Sequence, residues 1–146
     1  MGAEFNLSAG FHRDCLGIEW NPAPSNTPNP GSPTVSHYAQ LFQQSDGAKL
    51  AEKSFTPTPG VKNEIFFDTA VPLLGYGEES YYAIVYTWHY VFRFPPGGSG
   101  TWEVTSPSGM IHHVNSRLQD MNAPASSASG WGTFNSWYYI SPIVAL

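Results

Sequence analysis

Residues Ser80 to Phe94 read SYYAIVYTWHYVFRF. Taken at period two, one face is Tyr82, Ile84, Tyr86, Trp88, Tyr90, Phe92 and Phe94. The other is Tyr81, Ala83, Val85, Thr87, His89, Val91 and Arg93, smaller and partly polar. β-Branched and aromatic side chains suit a pleated, half-buried surface, and a helix would scatter this pattern around its axis. The run therefore predicts a core β-strand. Its fifteen residues exceed the roughly five or six of an ordinary strand. It is expected either to bend at a bulge and serve two sheets, or to project as a ribbon that a partner covers.

Working outward, breakers punctuate the chain at Asp46-Gly47, Pro57 to Gly60, Pro95 to Gly100 and Ser106 to Gly109. Between them lie short apolar or alternating segments. VKNEIFFDT (61–69) is expected to place Val61, Ile65 and Phe67 on one face, and TWEVT (101–105) and MIHHVNSRL (110–118) read as strands. WGTFNSWYYISPIVAL (131–146) supplies one or two more. SHYAQLFQQ (36–44) fits a strand or two helical turns, and SDGAKLAEKSF (45–55) reads as polar or briefly helical. No βαβ alternation occurs. The expected fold is all-β, an antiparallel β-sandwich or jelly-roll-like barrel.

Residues 21–33, NPAPSNTPNPGSP, contain five prolines and no large apolar side chain. Proline fixes φ and removes a donor, so an extended stretch without ladder bonds is expected. The expected division is residues 1–33 as a proline-rich N-terminal arm or linker, with a candidate edge strand at LGIEW (16–20), and residues 34–146 as the β-sandwich. Such composition suits a flexible spacer; the sharper reading is an arm lying across a neighbouring subunit.

Of the 146 residues, 15% are aromatic and only 12% charged, about half the usual charged share. The net charge is −5 and the six Lys and Arg are scattered, which argues against nucleic acid as partner. The first fifteen residues lack a secretory signal and no run of eighteen apolar residues occurs, so no membrane span is expected and the compartment stays unassigned. Cys15 is the only cysteine, so no internal disulfide can form; a small buried residue is the expectation.

Chemistry was sought residue by residue. His12, His37, His89, His112 and His113 show no metal-ligand spacing, and adjacent His112 and His113 must point to opposite faces of a strand. Asp68, Glu78, Glu79 and Glu103 form no recognisable acid pair, since convergence at about 5–9.5 Å cannot be read from spacing. Cys15 near His12 lacks an orienting third group, and Gly97-Gly98-Ser99-Gly100 lacks the Lys-Ser/Thr of a phosphate loop. The expectation is no enzyme, no cofactor and no metal.

Binding surfaces remain. Trp20, Pro22, Pro24, Pro28 and Pro30 from the arm, with Trp131, Trp137 and Tyr139 near the C-terminus, are the candidate interface residues. The preferred reading is a structural or assembly protein held by contacts with itself or other protein subunits. A virion component such as a phage head decoration, connector or tail protein would fit by architecture alone. The alternative is a carbohydrate-binding β-sandwich stacking exposed Trp and Tyr on sugar rings.

Overall fold

Why the first twenty residues belong to the body is visible in their alternation. Ala3, Phe5 and Leu7 repeat at period two, as do Ile18 and Trp20, and all five are buried. The computed structural model describes residues 1–8, 10–21, 37–58, 61–75, 79–87, 104–105, 110–118, 124–128, 132–134 and 140–146. Among them are ten strands and no helix. These are β1 (Gly2–Leu7), β2 (Arg13–Trp20), β3 (His37–Gln43), β4 (Lys49–Phe55), β5 (Asn63–Leu73), β6 (Tyr81–Tyr86), β7 (Val104–Thr105), β8 (Ile111–Leu118), β9 (Gly132–Phe134) and β10 (Ile140–Val144).

The strands form two antiparallel sheets. The larger runs β4-β3-β6-β1-β8, with short β7 and β9 both on the outer edge of β8. The smaller runs β10-β2-β5. Their facing sides share one apolar cluster. Phe5, Leu7, Leu41, Tyr81, Ala83 and Val85 come from the larger sheet, and Cys15, Ile18, Trp20, Ile65, Leu73 and Ile140 from the smaller. The arrangement is all-β and sandwich-like, as the alternation implied.

The aromatic run has both faces covered. Tyr81, Ala83 and Val85 enter the cluster between the sheets. Tyr82 and Ile84 join Phe42, Ala125 and Ala128 on the opposite side. Residues 124–128 are tied there by two bonds: Ala128 N donates to Gly47 O (2.9 Å) and Gln40 Nε2 donates to Ala125 O (2.9 Å). The further course of the run, residues 88–94, lies outside the described residues, so neither the bulge nor the ribbon expectation is settled.

Two expectations need correction. Residues 2–7 are not arm but an interior strand, paired to β6 on one side and β8 on the other. The expected edge strand at 16–20 lies in β2, the middle strand of the smaller sheet. The described residues on either side of the proline-rich stretch are in strands, Trp20 ending β2 and His37 beginning β3. Both rings pack beside Phe55, at centroid distances of 6.0 and 6.1 Å. Local composition marks a stretch as extended but says nothing about what its ends pair with. Residues 22–36, including Pro22, Pro24, Pro28 and Pro30, lie outside the described residues. Segments 36–44 and 45–55, which left helix open, are strands β3 and β4 where described, because β6 offers β3 a partner and β3 in turn offers one to β4.

Local chemistry sets two details. At Gly47 φ is +71°, which suits glycine at the β3–β4 turn, and Asp46 Oδ1 accepts from Ala48 N (2.9 Å). In β2, a Cβ at Gly17 would run into the Ile65 carbonyl. That close approach accompanies a bulge. Gly17 faces Phe66 and Cys15 faces Val71, so Leu16 alone opposes Phe67 to Ala70.

Phe5 is fully buried and its ring lies 5.8 Å from that of Tyr81. Phe5→Ala is expected to lower unfolding free energy by about 3–5 kcal/mol in a urea titration. A loss of under about 1 kcal/mol would show that β1 is peripheral.

Candidate interaction surface along β5

Strand β5 alternates in the described structure as its sequence NEIFFDTAVPL suggests. Ile65, Phe67 and Leu73 turn inward, while Glu64, Phe66, Asp68, Ala70 and Pro72 are exposed. Val61 just before the strand, Phe66 within it and Leu74 just after it are 50%, 53% and 48% exposed. With terminal Leu146 they are the exposed large apolar residues among those described. Leu146 lines a cavity of about 320 Å³ together with Pro72 and Leu73. Val61 was expected on the inward face with Ile65 and Phe67; it sits at the end of the ladder and faces solvent.

β5 is an edge strand, hydrogen-bonded only to β2. Open edges recruit foreign strands unless something blunts them. Here the bulge at Phe67 to Ala70 breaks the regular ladder, Pro72 lacks an N–H, and Lys62 pairs with Glu64 (2.9 Å) and Glu19 (3.3 Å). Across the gap, β4 carries a bulge between Leu41 and Phe42 of its partner, and Lys53 of β4 forms a salt bridge with Asp68 of β5. Two grooves flank this bridge. One, about 380 Å³, is lined by Leu50, Glu52, Phe67, Asp68 and Val71 among others; the other, about 290 Å³, by Phe55, Ile65 and Phe66 among others.

The residues considered for chemistry are placed as follows. Glu79 is structural. Burial pushes its pKa up, but bonds from Ser45 Oγ (2.5 Å), Gln43 Nε2 (2.8 Å), Ser80 N (2.9 Å) and Ser45 N (3.2 Å) outweigh that and hold it below the usual range. Asp68 is in its salt bridge; Glu78, Glu103 and His89 lie outside the described residues. His12 is exposed. His37 bonds Thr87 Oγ1 through Nδ1 (2.8 Å), and burial lowers its pKa. His112 and His113 take opposite faces, opposite Asn6 and Phe5 of β1. Among the described residues no group of three or more His, Cys, Asp or Glu could hold a metal, and no helix is long and apolar enough to cross a membrane.

Of the candidate contact residues, Trp20 is 2% exposed and meets Phe55 edge-on, so its ring faces the core rather than a partner. Trp131, Trp137 and Tyr139 lie outside the described residues. Sequence reasoning missed two polar side chains. Glu4 and Asn6, 7% and 3% exposed, occupy the β1 face turned away from the core. The register sets Asn115 opposite Glu4 and His112 opposite Asn6, with Tyr82 flanking Glu4 on the other side. Reading residues 1–33 as an arm hid this row, although the Ala3-Phe5-Leu7 alternation implied it. Phe66 was missed because attention fell on the inward face of its strand.

Comparison with known proteins adds no identity: no family model, no curated protein and no solved structure matches this chain.

Cys15 is buried, its thiol donating to Gly17 O (3.3 Å), and burial pushes its pKa up to about 11. Native protein is expected to leave a thiol-reactive dye such as DTNB unreduced, with one equivalent reacting in denaturant. Rapid reaction of the native protein would contradict this placement.

Proposed function

We propose that this protein is a non-catalytic assembly component that contacts neighbouring protein subunits, in the first instance copies of itself, through the outward side of β5. The observation that carries the reading is the exposure of three large apolar side chains on the β5 segment: Val61 just before the strand, Phe66 within it and Leu74 just after it. Exposed large apolar side chains are few among the described residues, and their concentration on the β5 segment favours a contact surface there. The blunted edge favours side-chain packing over an added strand. The low charged fraction, 12%, suits a surface that neighbours cover. A particle subunit, such as a phage head decoration, connector or tail component, is the setting suggested by a small sandwich or jelly roll with a long proline-rich connection, on architecture alone.

A carbohydrate-binding module needs a platform of exposed rings. Among the described residues Phe66 is exposed together with aliphatic Val61 and Leu74, a combination that favours the assembly reading.

Light scattering on the full chain is expected to give a defined oligomer. Phe66→Asp should weaken association at least about thirtyfold, the scale of an aromatic anchor worth 2 kcal/mol, without changing the far-UV spectrum. A monomer at every concentration overturns self-assembly, as does an oligomer indifferent to Phe66→Asp and Leu74→Ser together.

A further inference from the structure

The cavity of about 320 Å³ at one end of the smaller sheet lies where its three strands meet. Arg13 and Asp14 begin β2, Pro72 and Leu73 end β5, and Ala145 and Leu146 follow β10. Register sets Arg13 opposite Leu73 and Asp14 opposite Pro72, and Ala145 N donates to Asp14 O (2.8 Å), so the ladder holds the walls in place. We propose that this cavity binds a small monocarboxylate with an apolar body, its carboxylate received by Arg13.

Arg13 is oriented but under-used. Its Cζ lies 5.4 Å from the centre of the Phe11 ring, and Phe11 packs against the cluster between the sheets. Nη1 donates to the His12 carbonyl (2.9 Å), while Nε is buried with no acceptor. A charged donor left unmade in this way is costly, and a ligand that accepts from it recovers the loss. The contrast with the lysines is direct. Lys49, Lys53 and Lys62 each pair with a carboxylate, whereas among the described residues no salt bridge reaches Arg13.

The surroundings select the ligand. One guanidinium offsets one negative charge, and Asp14, which also lines the cavity, disfavours a second. Phosphate esters and dicarboxylates are therefore poorer candidates than a monoanion. Nε and Nη2 form an edge of two parallel donors that matches the two oxygens of a carboxylate. Since Nε is covered, making both bonds turns the arginine side chain toward the cavity. Pro72, Leu73, Ala145 and Leu146 supply apolar wall for a carbon chain, and the volume suits a ligand at the small end of the usual range. The site is separate from the assembly reading of β5, and its test does not depend on the oligomeric state.

The test is a saturation-transfer NMR titration of the full chain with hexanoate and, separately, with its uncharged isostere hexanamide. Hexanoate should bind saturably with a Kd of about 1 mM, the scale open to so small a ligand. It should bind at least about tenfold more tightly than hexanamide, and Arg13→Gln should weaken it at least about tenfold with the far-UV spectrum unchanged, as expected for a lost charge-assisted bond. No saturable binding, or a preference or variant effect short of tenfold, overturns the proposal. Should Arg13→Gln fail to fold, Ala145→Phe takes its place by adding bulk to the cavity wall. Loss of hexanoate binding in that variant supports the site, and unchanged binding contradicts it.

Discussion

The larger sheet depends on β1. β3, β4 and β6 lie on one side of it and β8, β7 and β9 on the other, and among the described strands the two groups are joined in the sheet through β1. Six residues supply both ladders. Their inward side chains, Ala3, Phe5 and Leu7, also fill the space between the sheets. Closing this arrangement pairs residue 5 with residue 81 and residue 113, contacts far apart in sequence whose loop-closure entropy must be offset by burial. A six-residue strand can do this because none of its backbone or side chains is left at an exposed edge.

How far the sequence reveals this can be judged strand by strand. β6 is legible because fifteen consecutive residues keep one period, and β8 because turns bound it on its N-terminal side. β1 is periodic over six residues too, but its second face carries the polar Glu4 and Asn6. Burial of those polar residues depends on Tyr82, His112 and Asn115 being brought alongside, and no local pattern encodes that. The same limit applies to Trp20. Its type marked it as a possible contact, while its place against Phe55 is decided by how β2 and β3 meet. Pairing partners, unlike strand faces, are non-local quantities.

The surface follows from the same construction. Two sheets leave β4, β5 and β10 as edges, with short β7 and β9 at the far edge of the larger sheet. The chain blunts them with bulges in the β4 and β10 pairings as well as in β5, with Pro72 and Pro142, and with lysines on and beside the edge strands. Blunted edges resist indiscriminate strand addition. Phe66 remains as a side-chain anchor above Gly17, a position where the backbone approach admits no side chain beneath it. Assembly through β5 is therefore a proposal about side-chain packing, and it needs no rearrangement of the core.

Native-state hydrogen exchange at residues 2–7 tests the place of β1 most directly. Amides that pair with β6 and β8 should exchange only by global unfolding, with the same free energy as those of residues 81–86. Exchange of residues 2–7 orders of magnitude faster, with 81–86 still protected, would contradict the account and return the N-terminus to the role of an arm.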